Sequence, residues 1–354
     1  MPLADSQREV AEQPAVIARV LQDLQTAVRE LARKLAERQT RRLFLLGSGD
    51  SWFAGQAARL ALEQYAGVAV EPLQAYEYAA YGHPGFDAHS AAIVISSSGR
   101  PTTTWDALDR ALATPAYVVG LSDKQYQGNP FIEKPPTALI PGASKKGMPA
   151  QTTTATIAVL IDLAIELGRA TGHLSPTQAE ALSAELREIP AKMEAVLSAS
   201  AAIAQELAPS LRSARFYTLV GGGPSFGVAQ VGSALLAEGP QEVGLPLAIE
   251  EFHHALRFAA IAPGEPVLLI APTGQVSRRN LDTARSLHNW GVQVIAIVDE
   301  QDEAIRPLAQ TVFVLPAIPE PFSPLLTILP LHQLSLHLAA QKVAAGYQRA
   351  ISVP

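Results

Sequence analysis

Short apolar runs, each ending near a glycine or a cluster of hydroxyls, alternate along the chain with stretches whose apolar residues fall three and four apart. LFLLG at 43–47, AIVI at 92–95, YVVGL at 117–121 and TALI at 137–140 make one series; FYTLV at 216–220, PVLLI at 266–270, VQVIAIV at 292–298 and TVFVL at 311–315 make a second. Continuous apolar runs of this length predict strands buried on both faces, since one wet face would force alternation. With helical stretches between them, such strands predict a parallel sheet covered on both sides. LFLLGSG is followed about fifty residues on by AIVISSSG, and RFYTLVGGG by PVLLIAPTG at a similar distance, so the chain reads as one α/β unit duplicated. The expected divisions are a helical lead-in over 1–40, a first unit over 41–170, a helical connector over 171–213 and a second unit over 214–354. Val16, Ile17, Val20, Leu21, Leu24, Val28, Leu31 and Leu35 predict one or two amphipathic helices in the lead-in. Pro72 to Pro84 reads as irregular, a charged helix is expected after VQVIAIVD, and Pro176, Pro190 and Pro209 punctuate the connector.

The turns carry the candidate chemistry. In AAIVISSSGRPTTTWDALDRALA (91–113) a buried strand runs into Ser96, Ser97, Ser98 and Gly99, and then into a helix opening at Pro101, where the missing N–H costs nothing. Three hydroxyls, a glycine that lets backbone approach closely and free N–H groups at a helix start suit a phosphate. A serine-rich cap without a ligand has the same residues. Gly47-Ser48-Gly49-Asp50-Ser51 repeats the arrangement after the preceding strand, without the third glycine of a dinucleotide fingerprint. The matching inner turn of the second unit, APTG, offers only Thr273 as a side-chain hydroxyl, which assigns phosphate binding to the first unit.

Composition narrows the classes. With 48% of 354 residues hydrophobic there is material for two cores, and a formal charge of −6 with scattered Lys and Arg gives no field for nucleic acid. The absence of cysteine removes disulfides, thiolate metal sites and a cysteine nucleophile, and fits a cytoplasmic setting. MPLADSQREVAEQPAVIARVLQ lacks the basic-then-apolar order of a signal peptide. The longest apolar stretches carry Asp162 and Glu166, or Pro330, His332 and His337, so no membrane span is expected. His332 and His337 read as packing or interfacial residues. His253 and His254 could be metal ligands, but adjacent residues of a strand face opposite ways and no partner stands at ligand spacing, so neither metal nor cofactor is expected.

The duplicated unit, the serine turn, and the helix ending SALLAEG followed by EEFHH together resemble the sugar isomerase (SIS) family, in particular the isomerase half of glucosamine-6-phosphate synthase and its deaminase and deglycase relatives. The resemblance runs from about Arg41 to the C-terminus. It implies two tandem SIS domains, each a doubly wound, flavodoxin-like parallel sheet of five strands flanked by helices. It implies that Ser96, Ser97, Ser98, Gly99 and Thr102 grip a sugar phosphate, with Gly49, Asp50 and Ser51 contributing from the outer turn. Asp50 replaces a threonine there, a change that would repel a phosphate it faced. Glu238 falls at the place of the family's base and His254, sixteen residues on, at that of its ring-opening histidine. Moving a proton between C1 and C2 needs one carboxylate that reaches both carbons, and opening the ring needs a separate acid such as imidazole. As a plain solvated residue, Glu238 would oppose the dipole of its own helix. Two departures stand out: Leu235 and Ile351 occupy the places of the family's lysines, and Ala255-Leu256 replaces Gly-Pro after the histidine. The expectation is a cytoplasmic homodimeric enzyme for a hexose or hexosamine 6-phosphate, a deaminase, deglycase or aldose–ketose isomerase without glutaminase activity; the alternative is a non-catalytic sugar-phosphate sensor.

Overall fold

A computed structural model describes residues 3–346. Three helices come first, α1 (Leu3–Ala11), α2 (Gln13–Asp23) and α3 (Gln25–Glu37), separated by the single residues Glu12 and Leu24. The first sheet follows as β1 (Arg42–Gly47), α4 (Asp50–Ala66), β2 (Ala69–Gln74), α5 (Ala75–Tyr81), β3 (Ser90–Ile95), α6 (Thr102–Leu112), β4 (Tyr117–Leu121), α7 (Pro130–Glu133) and β5 (Thr137–Leu139). Two long helices, α8 (Ala150–Thr171) and α9 (Pro176–Leu211), lead to the second sheet. It comprises β6 (Tyr217–Gly221), α10 (Pro224–Glu238), β7 (Gly244–Ala248), α11 (Arg257–Ala260), β8 (Pro266–Ile270), α12 (Ser277–Asn289), β9 (Gln293–Asp299) and β10 (Thr311–Leu315), closed by α13 (Pro324–Ala344).

All pairings are parallel, in the orders β2-β1-β3-β4-β5 and β7-β6-β8-β9-β10. Each sheet is therefore the doubly wound, flavodoxin-type order, whose switch point falls between its two central turns at the carboxyl ends of the strands. Strand pleating divides the apolar runs between layers: Leu43 and Leu45 of β1 enter a core shared by both halves, whereas Phe44 and Leu46 enter an outer core under α5 and α6. The shared core also takes Ile17 and Val20 from the lead-in and Leu325 to Leu338 from α13. The halves are joined where α4 and α10 pack antiparallel. Gly227 lies so close to Ala57 that a Cβ on it would stand 2.4 Å from the Ala57 nitrogen, while Glu238 at the end of α10 comes electrostatically into range of Asp50 at the start of α4. That crossing sets a residue of the second half over the turns of the first.

Several expectations change. The stretch 72–84 is ordered: Pro72 sits in β2, an edge strand where its missing donor is tolerated, and the Gln74 side chain caps α5 by accepting from the Glu77 N–H. No full helix follows β9. The Asp302 carboxylate takes the N–H groups of Ile305 and Arg306 and Pro307 has none to offer, leaving one tight turn at Arg306–Leu308. The connector is a single helix that runs through Pro190 and Pro209, held against α13 and α2. His253 and His254 lie in and just after a 3₁₀ turn (Glu251–His253) rather than on a strand. α8 is long and apolar enough to cross a membrane, but it is almost wholly buried inside the protein. His332 is fully buried and pushed down to about 3 by that burial, so it is neutral, with Nδ1 3.3 Å from Gln13 Nε2.

Candidate active site

Three helices begin at one cavity over the first sheet: α4 at Asp50, α6 after Pro101 and α8 after Pro149, none with a side-chain cap on its free N–H groups. Their positive ends converge on a space of about 290 Å³ lined by Asp50, Ser51, Ser96, Ser97, Ser98, Thr104, Lys145, Thr152 and Thr153. Asp50 Oδ1, Ser97 Oγ and Thr153 Oγ1 are buried without a hydrogen-bond partner. Buried polar groups left unpaired in this way cost stability unless something arrives to satisfy them.

The serine turn is held open for such a visitor. The Gly99 carbonyl accepts from Trp105 Nε1 at 2.7 Å and from the Tyr126 hydroxyl at 3.0 Å. Gly99 itself adopts φ +68°, and a Cβ there would meet Asn129 Oδ1 at 2.6 Å, so only glycine fits. Opposite, the loop after β5 is moulded by the lead-in. The buried Glu9 carboxylate accepts from Lys146 N at 2.8 Å, Gly147 N at 3.0 Å and the Ser144 hydroxyl, and Ser6 Oγ accepts from Met148 N at 3.1 Å. Asp123 ties the two sides together, donating its N–H to the Ser97 carbonyl and accepting from Ala143 N at 3.0 Å; burial raises its carboxyl to about 6 despite that bond.

Lys145, presented by this loop, is the cation of the cavity. Its Nζ stands 3.5 Å from Asp50 Oδ2 and 3.9 Å from Glu238 Oε2, bridging the two halves. Burial raises the Asp50 carboxyl to about 6, with Lys145 pulling it down and the nearby Glu238 pushing it up. Glu238, the last residue of α10, keeps its side chain 42% exposed at the rim.

The structure thus brings together Asp50, Ser51, Ser96, Ser97 and Ser98 as cavity walls, flanked by Gly49 and Gly99, with Glu238 reached through Lys145. Thr102 is exposed and not part of the wall; the buried Thr104 faces the cavity instead. His254 is also elsewhere, 64% exposed in its side chain and 3.6 Å from Glu250, with the apolar Leu256 and Phe258 exposed beside it. His253 is half-buried and bonded to Thr283 Oγ1, its imidazole lowered by burial and then by Arg279. Leu235 is buried in the shared core, and Ile351 lies outside the described residues. Sequence reasoning missed Lys145. The available signal was the chain's one adjacent lysine pair, placed after the fifth strand where parallel sheets present ligands.

No family model matches the chain. Glutamine–fructose-6-phosphate aminotransferase (isomerizing) from Chlorobaculum tepidum is 30% identical over 306 residues, 85% of this chain and 48% of that protein. Its counterpart from Bacteroides thetaiotaomicron is 29% identical over 304 residues, covering 85% and 49%. The C-terminal domain of glucosamine-fructose-6-phosphate aminotransferase from Francisella tularensis superposes on 96% of the chain, and over 96% of its own length, with TM-score 0.85 at 20% identity. The chain has the fold of two tandem SIS domains. It spans about half the length of the curated relatives it matches. The fold is shared with a glucosamine-6-phosphate deaminase from Thermotoga maritima, which superposes on 95% of the chain and over 93% of its own length with TM-score 0.75 at 15% identity.

Proposed function

We propose that this protein is an enzyme acting on a hexosamine or hexose 6-phosphate, with the phosphate seated among the serine turn, Thr153 and the three helix starts. The observation that carries the reading is the Asp50–Lys145–Glu238 bridge at 3.5 Å and 3.9 Å, which sets a carboxylate and an ammonium side by side at the rim of a cavity with orphaned hydroxyls. Glu238 takes the proton from one of C1 and C2 and returns it to the other. The Lys145 ammonium neutralises negative charge developing on the neighbouring oxygen, the role that a lysine at the Leu235 position would otherwise serve. On an amine-bearing substrate the same transfer generates an imine, and water hydrolyses it to a carbonyl with release of ammonia or an amine. Deamination or deglycation is the first choice because the substrate nitrogen is itself an electron sink; aldose–ketose isomerisation shares the proton transfer, and Lys145 gives its oxygen a cationic partner.

His254 completes the site from a second copy. Its exposure, and the exposed Leu256 and Phe258 around it, support a homodimer in which this segment covers the partner's cavity rather than its own. The test is incubation with hexose and hexosamine 6-phosphates while ammonia and ketose are followed. Turnover of at least one is expected, with Glu238→Gln lowering kcat by about two to four orders of magnitude at nearly constant KM. Mixing inactive Glu238→Gln and His254→Ala proteins should restore part of the activity if the two residues act across a dimer. Tight binding of one sugar phosphate without turnover of any would establish the sensor instead.

A further inference from the structure

The duplicated unit contains a second copy of the phosphate cradle, and a carboxylate of the protein occupies it. Ile95 pairs with Leu121 as Ile270 pairs with Ile297, so the register sets Ser98-Gly99 of the first half against Thr273-Gly274 of the second. Gly49 and Gly223, which open α4 and α10, share one backbone geometry, φ 54° and ψ −130° against φ 54° and ψ −129°. Between these two turns of the second half lies the Glu320 carboxylate. Gln275 N donates to its Oε2 at 2.9 Å, a Cβ on Gly274 would stand 2.2 Å from its Cδ, and a Cβ on Gly223 would stand 3.7 Å from its Oε1.

Glu320 comes from the loop between β10 and α13, the counterpart of the β5–α8 loop that delivers Lys145. One loop, duplicated, carries a cation to the open cavity of the first half and an anion to the turns of the second. A void of about 10 Å³ adjoins the Thr273-Gly274 turn at Pro272, against the cavity of about 290 Å³ in the first half. Ser323, three residues after Glu320 and 2% exposed, lines that void with its hydroxyl unpartnered. Fifteen residues beyond Gly223 stands Glu238, whereas fifteen beyond Gly49 stands Gln64, so the second site has no matching base.

We infer that the second half retains an oxyanion site of the phosphate class that Glu320 fills from within, and that this residue restricts the chain to one phosphate site. The inference goes beyond the proposed reaction and is tested by the stoichiometry of inorganic phosphate binding to the full chain, read by calorimetry. Glu320→Ala should bind one more phosphate per chain than the wild type, and added acetate should raise the Tm of the variant but not of the wild type. Glu320→Ser leaves an acceptor for Gln275 N and should show the same gain if the alanine variant fails to fold. A folded variant with wild-type stoichiometry and no response to acetate overturns the inference. A wild type that binds no phosphate beside a variant that binds one would instead sink the proposed substrate class and sustain this inference.

Discussion

Asp50→Asn is expected to stabilise the protein at neutral pH while removing a charge from the candidate active site. Asp50 is only 14% exposed in its side chain, and burial lifts its carboxyl from 3.8 to about 6 even though Lys145 stands 3.5 Å away. Between those two values the folded protein holds a proton that the unfolded chain has released, so folding stability falls as pH rises through the window. Above it the deficit is complete, on the order of 3 kcal/mol from a difference of about 2 pH units at 1.36 kcal/mol each. Below 3.8 both states are protonated and the deficit vanishes. Asparagine keeps the shape of the protonated carboxyl without its ionisation. Urea unfolding of the two proteins should therefore show little difference near pH 4 and a gap in favour of Asp50→Asn that grows to roughly 2–3 kcal/mol by about pH 7.5. The same charge opposes a bound phosphate, so wild-type affinity for a sugar phosphate should approach that of the variant as pH falls through about 6. A variant that is no more stable at about pH 7.5, or a gap that does not change with pH, would refute the account of Asp50 as a buried charge held in place for function.

Three further outcomes test the rest of the site. Ser97→Ala removes a hydroxyl from the cavity wall, so the protein should stay folded while sugar-phosphate binding weakens by about 1–3 kcal/mol, measured by calorimetry. Lys145→Met should lower kcat by at least about tenfold and Lys145→Arg should recover part of it, whereas equal loss in both would assign Lys145 to loop packing rather than to charge. Glu9→Ala strips three donors of the β5–α8 loop of their acceptor at once; a loss of about 1–3 kcal/mol in thermal or urea unfolding should accompany a lower kcat, because the loop that aims Lys145 is no longer pinned.

The lead-in shows where reading by residue pattern runs out. Its helical period was visible in Val16, Val20 and Leu31, but nothing local marked Glu9 as the residue on which the loop carrying Lys145 is shaped, since its partners lie more than 130 residues away. Thr102 and Thr104 sit in one run of threonines, and only the phase of α6 decides that Thr104 turns inward. Likewise Thr154 of the later threonine cluster turns away to bond Gln13 and the Ala150 carbonyl, while Thr152 and Thr153 face the cavity.

The alternation of apolar runs with helical periods determined the parallel sheets, the duplication and the serine turn, because those features follow from contacts between near neighbours and from the need to bury both faces of a strand. The place of Glu238 at the end of α10 was also legible, since a carboxylate before Gly239-Pro240 gains nothing from its own helix. What only the tertiary structure decided is the company these residues keep. The antiparallel packing of α4 on α10 through Gly227 and Ala57 brings Glu238 to Lys145 and Asp50, and the loops after β5 and β10 bring a lysine to the turns of one half and a glutamate to the turns of the other. Such meetings depend on how whole elements cross, a property of the packed core that no window along the chain contains.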